Sequence, residues 1–436
     1  MRNSKKANDR LVGKRGKMVI PDSFNVTAQD AYNYIASKHF ADQQLCMVLK
    51  FDGKIDEATL ARAVRLTFDL EPVLGCRLIT DGGNLFWQRR SDLDELQTCQ
   101  VITSQQELQN FINTSTCADV DPLVATRILR ENGGDTVCIK VNHSACDAGG
   151  LKEYVSLLSS IYNSLTSESK CSFEPNLTGR RDQSQVFQYT KDPKNVPLKD
   201  FPKPTWALPQ KQGTERLHVY RTLSAGQLEA IKQFAKTKNS TVNDALLAAM
   251  YRRFFEANNT PQGKPMVIQV SIDLRRYCPN RKAEAICNLS SGLHVELDRK
   301  IGESFEQTLE GTTASLSKFK ENCPGIETAV KLEYLFSHGF AWLEKYMGQT
   351  SELSKKYSLT YPLLSNFGVL ANYSFGGLDA KEVYITPPIM YTPGFMLGAS
   401  TFNDKLTLSV GYCGKENTMQ IQSFLDNLIE DLLKQK

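Results

Sequence analysis

Asn142-His143-Ser144-Ala145-Cys146-Asp147-Ala148-Gly149-Gly150 is the stretch on which the reading of this chain turns. On its N-terminal side, residues 137–143 (VCIKVNH) put Val137, Ile139, Val141 and His143 on one side of a pleated strand. On its C-terminal side, Leu151, Tyr154, Val155, Leu158 and Ile161 recur at helical spacing. The glycines therefore stand where a strand ends and a helix begins. His143 falls at the strand's C-terminal edge, where open α/β sheets bind their ligands.

Upstream, residues 45–51 (LCMVLKF) read as a strand and Asp52-Gly53 as a turn. A helix follows with Asp56 as N-cap and Leu60, Ala63, Val64 and Phe68 on one face. Beyond Glu71-Pro72, residues 73–80 and 85–88 form a hairpin about Asp81-Gly82-Gly83-Asn84. Between 174 and 210 the composition changes: six prolines (175, 193, 197, 202, 204, 209) and many charges interrupt both periodicities, which marks a connection between domains. The second half opens with a strand at 217–223 and a helix begun by Ser224-x-x-Gln227, a capping-box pattern that Thr241-x-x-Asp244 repeats before the buried helix 242–255. Strands at 266–272 and 292–297, helical stretches at 304–319 and 327–347, strands at 383–385, 396–401 and 405–412, and a final helix at 418–433 complete it. The expected organisation is a basic tail (1–17), an N-terminal lobe (18–173), a Pro-rich connection (174–213) and a C-terminal lobe (214–436). The mixture of strands and helices in both halves gives the α/β class.

Composition narrows the function less than the motif does. With 436 residues and 41% hydrophobic content the chain has material for two cores. A net charge of +4 with 23% charged residues calls for no nucleic acid and no anionic membrane. The first seventeen residues hold seven Lys or Arg against one Asp, with no apolar run behind them to serve as a signal or a span. Eleven scattered cysteines without a Cys-x-x-Cys pair fit neither a disulfide framework nor a zinc site, so reduced thiols in the cytoplasm are expected, with no bound metal.

His143 is the one histidine of five placed at a strand end before a Gly-rich turn. A neutral imidazole there can take a proton from an attacking hydroxyl or amine and return it to a leaving thiolate. On the residues alone two readings stand side by side: a general base, or a hydrogen-bonded core histidine with Asp147 capping the next helix. Ser144 and Cys146 flank the histidine, but a residue adjacent to a strand-end His points to the other face, which argues against a Ser-His or Cys-His couple. The chain has no Gly-x-Ser-x-Gly elbow, no phosphate loop and no Gly-x-Gly-x-x-Gly.

His143-x-x-x-Asp147 followed by Gly149-Gly150 resembles the His-His-x-x-x-Asp-Gly signature of the condensation-domain and chloramphenicol-acetyltransferase-like acyltransferase superfamily. Further matches extend over most of the chain. Glu71-Pro72-Val73-Leu74-Gly75-Cys76-Arg77 looks like the opening of these proteins. The run 241–249 (TVNDALLAA), Ile272-Asp273-Leu274-Arg275-Arg276-Tyr277, Asn288-Leu289-Ser290 and Ser365-Asn366-Phe367-Gly368 look like the second lobe of stand-alone alcohol acetyltransferases, wax ester synthases and polyketide-associated acyltransferases. Asn142 stands where the signature has its first His, and Ala148 where it has Gly.

The resemblance implies two chloramphenicol-acetyltransferase-like lobes, mixed sheets flanked by helices, meeting in a V with a tunnel at the junction. It implies His143 as catalytic base and Asp147 turned away to pair with Arg275, with Gly149 and Gly150 supporting the turn. Ser365 and Asn366 are the candidates for oxyanion or substrate binding. The activity implied is acyl transfer from acyl-coenzyme A or a carrier protein's phosphopantetheinyl thioester, as co-substrate rather than bound cofactor, to a hydroxyl or amine. Two alternatives accompany it: a carrier-dependent condensation enzyme of peptide or lipopeptide assembly, with an acyl or peptidyl carrier protein as partner, and a non-catalytic docking homologue. The aromatic residues of 327–347 are read as core before acyl-site lining.

Overall fold

The computed structural model describes residues 19–167, 173–190, 192–206, 208–320 and 323–434. The basic tail at 1–17 lies outside them. Two mixed sheets organise the molecule. In the first, Glu382–Thr386, Gln44–Lys50, Gly134–Asn142, Val124–Glu131 and Cys99–Ile102 lie in that order, antiparallel except for the last pair. In the second the order is Ser290–Asp298, Pro265–Asp273, Leu363–Val369, Met396–Phe402, Lys405–Cys413 and Arg216–Leu223. Leu363–Val369 is parallel to both its neighbours, and the other pairings are antiparallel. No helix among the described residues is long and apolar enough to cross a membrane.

Each half owns an apolar core. That of the first sheet joins Leu45, Met47, Val137, Ile139 and Val141 to Leu60, Val64 and Phe68 of the helix Glu57–Leu70 and to Leu151, Tyr154, Val155 and Leu158 of the helix Ala148–Thr166. These are the faces that the helical spacing predicts. The second core gathers on Leu246 to Phe255 of the helix Val242–Ala257, whose small residues let it lie close against its neighbours. Both capping boxes form: Ser224 with Gln227 and Thr241 with Asp244 exchange side-chain and backbone hydrogen bonds.

Three features depart from the sequence expectation. The strand Glu382–Thr386 comes from the stretch 214–436 yet pairs with Gln44–Lys50, so the second half of the chain lends an edge strand to the first sheet. The helical stretch expected at 327–347 is two helices, Ile326–Phe336 and Phe340–Tyr357, broken at Gly339, whose φ of 94° ends the helical ladder. Residues 72–75 are a short 3-10 turn begun by Pro72 rather than the start of the hairpin, which runs over Cys76–Asp81 and Asn84–Arg89.

Candidate active site

The strand Gly134–Asn142 is central in its sheet and buried along nearly its whole length, which fixes where its last residue can point. Asn142 pairs with Gln44, and His143, one residue on, donates its backbone N–H to the Gln43 carbonyl at 2.8 Å. The chain then turns. Asn142 Oδ1 accepts from the Ser144 N–H at 3.0 Å, and the Ala145 N–H returns to the Asn142 carbonyl at 3.0 Å. Asn142, standing in place of the signature's first histidine, thus builds the corner that delivers His143.

The His143 ring is half-buried, and its Nδ1 lies 3.2 Å from Asn288 Oδ1. The orientation of that amide is decided by its other end: Asn288 Nδ2 donates to the His143 carbonyl (3.0 Å), the Ser144 carbonyl (3.1 Å) and Asp30 Oδ1 (3.3 Å). With Nδ2 committed to three oxygens, Oδ1 must accept, so Nδ1 carries the proton and the lone pair sits on Nε2. Burial lowers the pKa of His143 from its ordinary value, against the opposing charge of Asp147. Asn288 belongs to a segment that sequence comparison marks out, but its contact with His143 spans 145 residues and no local pattern announces it. An amide inside the apolar run Ile286-Cys287-Asn288-Leu289 is the one available signal.

Asp147 combines both roles weighed from sequence. As N-cap of the helix Ala148–Thr166 it accepts from the Gly150 N–H at 2.8 Å. Its carboxylate also accepts from the Leu289 N–H at 2.7 Å and pairs with Arg275 Nη1 at 2.9 Å, both side chains buried. No hydrogen bond joins it to His143 among the described residues, so the arrangement is not a Ser-His-Asp relay. Arg275 in turn meets Asp273 at 3.2 Å and Glu153 at 3.3 Å, and donates to the Cys287 carbonyl at 2.8 Å. Burial pushes the Asp147 carboxyl up, but the Arg275 charge and the two hydrogen bonds from Arg275 and Gly150 outweigh it and hold the pKa below the ordinary carboxylate value. Strand end, helix start and the segment 287–289 are clasped by one ion pair.

The glycines serve this clasp. A Cβ on Gly149 would lie 2.3 Å from Arg275 Nη1, and one on Gly150 2.8 Å from the Cys287 carbonyl. Ala148 takes the first helical position without a positive φ, so the missing glycine costs the turn nothing. Gly149→Ala is therefore expected to destabilise the fold by at least about 3 kcal/mol, through overpacking against a buried ion pair. That outweighs the ~1 kcal/mol by which alanine favours a helix. Urea denaturation checks it, and an unchanged midpoint would contradict the packing.

The neighbours offer no nucleophile. Ser144 is buried, and burial pushes the Cys146 thiol well above its ordinary pKa. Ser365 and Asn366 lie in the strand Leu363–Val369 of the second sheet, and no hydrogen bond connects either to His143 among the described residues. Ser365 is buried and accepts from Ser271 Oγ at 3.0 Å, which leaves its own hydroxyl proton free to donate. Asn366 is exposed and locally engaged, accepting from the Gly368 N–H at 3.0 Å across the bulge.

A family model described as Transferase family matches residues 72–380. No curated protein matches the sequence significantly. Among solved structures, the polyketide synthase associated protein 5 from Mycobacterium tuberculosis aligns at 15% identity and TM-score 0.67, covering 95% of this chain and 98% of that one. The trichothecene 15-O-acetyltransferase from Fusarium sporotrichioides aligns at 12% identity and TM-score 0.68, covering 94% and 95%. The starter condensation domain of rhizomide synthetase, solved with C8-CoA and Leu-SNAC, aligns at 13% identity and TM-score 0.61, covering 94% of each chain. At these identities the likeness is one of fold: two lobes, each a mixed sheet flanked by helices.

Proposed function

The chain belongs to the Transferase family, and on that premise we propose that it moves an acyl group from a thioester to a hydroxyl or amine acceptor, with His143 as general base. The observation that carries the proposal is the state of the imidazole. Its Nδ1 proton is taken up by Asn288 and its pKa is lowered by burial, which together offer a neutral Nε2 lone pair at neutral pH.

In the proposed reaction Nε2 takes the proton of the acceptor as its oxygen or nitrogen bonds to the thioester carbonyl carbon. The tetrahedral intermediate collapses, the C–S bond breaks, and the imidazolium returns the proton to the thiolate. Ser365 is our candidate donor to the oxyanion, because its hydroxyl proton is uncommitted. Asp147 and Arg275 act by holding the turn that aims His143. The donor is a co-substrate, either acyl-coenzyme A or a carrier-bound phosphopantetheine. The rhizomide domain was solved with C8-CoA, which supports a coenzyme A thioester as the first donor to try.

Free thiol released from a panel of acyl-coenzyme A donors, with pooled alcohols and amines, tests the proposal. Release that depends on an acceptor is expected. No release from any coenzyme A donor, but turnover with carrier-tethered acyl groups, would replace it by the condensation reading. Tight binding of a partner without turnover from either donor would replace it by the docking reading.

The pH dependence carries its own sign. The base must be unprotonated, and burial places the His143 pKa below its usual 6.5. Thus kcat/KM is expected to rise through a midpoint below pH 6.5 and to stay level from there to neutrality. An acid limb centred above 6.5 in the pH–rate profile would contradict this environment.

A further inference from the structure

One of the hydrogen bonds that place His143 comes from a strained backbone. The Gln43 carbonyl, which accepts the His143 N–H at 2.8 Å, belongs to a buried residue with a φ of 52°. That is the left-handed region, which side chains other than those of Asn and Asp seldom take. A conformation of this kind persists where its surroundings impose it, and such residues gather at functional sites.

Asp42 imposes it. Its Oδ1 accepts from the Gln44 N–H at 3.2 Å, closing an Asx turn around Gln43, and from the Ile389 N–H at 2.8 Å. Its own N–H donates to the Ile389 carbonyl at 3.0 Å, and its carbonyl accepts from Gln44 Nε2 at 2.9 Å. Gln43 is thereby pinned from both sides. Gln44 opens the strand Gln44–Lys50 and pairs with Asn142, the residue before the histidine. Ile389 is bridged to Gly411 of the strand Lys405–Cys413. One carboxylate oxygen thus joins the end of the first sheet to a segment seated on the second.

The other oxygen has no such work. Asp42 is 2% exposed, and its Oδ2 has no hydrogen-bond partner among the described residues. A half-satisfied carboxylate in the interior costs the fold stability, and a group of that kind calls for a reason. Burial pushes the carboxyl up to about 7, against the two backbone hydrogen bonds and the charges of Lys140 and Arg216. Oδ1 can accept in either protonation state, so an amide oxygen can take over its role.

We propose that Asp42 is a positioning residue for His143: its carboxylate holds Gln43 left-handed and ties it to Ile389, and the Gln43 carbonyl then fixes where the strand end delivers the imidazole. His143 is in this way registered from the second sheet as well as by the clasp of Asp147 with Arg275. That a displaced imidazole slows acyl transfer rests on the acyl-transfer reading; that Asp42 determines where the imidazole stands does not.

The test observes the imidazole and the rate separately, on the full chain. Isotope-labelled histidine gives five Cε1–H resonances by NMR, and His143→Ala identifies the one that matters. Asp42→Ala is expected to move that resonance and to lower kcat for thiol release by about tenfold to a hundredfold, the loss that follows when a catalytic group is misplaced by about an ångström. KM for donor and acceptor should stay within about twofold, because no substrate contact is removed. Asp42→Asn, which keeps an acceptor at Oδ1, is expected to restore the resonance and to bring kcat within about threefold of the wild type. Gln43→Gly should leave the resonance in place, since glycine takes a positive φ unaided, and Gln43→Val, whose branched side chain resists it, should move it. This second pair decides the matter if Asp42→Ala fails to fold. A folded Asp42→Ala with the native resonance, an Asp42→Asn protein as impaired as Asp42→Ala, a loss confined to KM, or Gly and Val variants that behave alike would each overturn the assignment. Resonances that follow the expected pattern in a protein that releases no thiol, wild type included, would instead overturn the acyl-transfer reading and leave Asp42 in its role.

Discussion

His143→Ala is expected to reduce acyl transfer by about a hundred- to ten-thousand-fold, the range in which a positioned general base contributes. Loss on that scale is readable only if the variant folds, and the structure gives reason to expect that it does. The imidazole makes one side-chain hydrogen bond, to Asn288, and the backbone bond from His143 to the Gln43 carbonyl survives the substitution. The thermodynamic cost should be about 1 to 3 kcal/mol, since Asn288 keeps the acceptors of its Nδ2 but its buried Oδ1 loses the imidazole donor. Thiol release and thermal unfolding, measured on the same preparations, separate chemistry from folding. Equal release by the wild type and a folded variant would remove His143 from the mechanism.

Much of that site can be read in the sequence because its parts are local. The switch from a period of two in 137–143 to a period near 3.6 from Leu151 onward places His143 at a strand end and Asp147 at a helix start, with no three-dimensional information. The structure puts both there. The hydrogen bonds that define the state of the imidazole are of another kind. Asn288 reaches His143, and Asp30 reaches Asn288, from segments far along the chain, and a buried amide looks the same in sequence whether it orients a base or fills a loop. The same holds for Glu153, which shares Arg275 with Asp147 and carries no motif.

The fold divides in the same way. Residues 383–385 read as a strand, yet nothing in three residues tells which sheet will receive it, and the structure gives it to the first sheet, next to Gln44–Lys50. Helical periodicity runs through 327–347 because Tyr334, Leu335, Phe336, Phe340 and Leu343 continue the spacing. An isolated glycine inside such a pattern is tolerated often enough that Gly339 does not declare the break it makes. In each case the missing information is tertiary: which surface is left for the segment to cover.

The clasp between Asp147 and Arg275 is where folding and function meet, and Asp147→Ala should show it. Removing the carboxylate leaves the Leu289 and Gly150 N–H groups without their acceptor and leaves a buried guanidinium short of its nearest counter-charge. A buried pair broken on one side costs on the order of 3 to 5 kcal/mol. Asp273 and Glu153 remain within 3.3 Å of Arg275 and argue for the lower end of that range. Arg275→Met added to Asp147→Ala should recover part of the loss, since the uncompensated charge goes with it, and a double-mutant cycle measures how much. The wild type should also reveal the pair by its pH dependence. The folded pKa of Asp147 lies below its ordinary value, so the stability it contributes is complete above the usual carboxylate range, near 4, and is lost as pH falls through the lower, folded value. Denaturant midpoints followed from neutrality into acid should therefore fall less steeply in Asp147→Ala than in the wild type. A variant that loses less than about 1 kcal/mol and keeps the wild-type acid slope would show that the turn carrying His143 is held by something other than this pair.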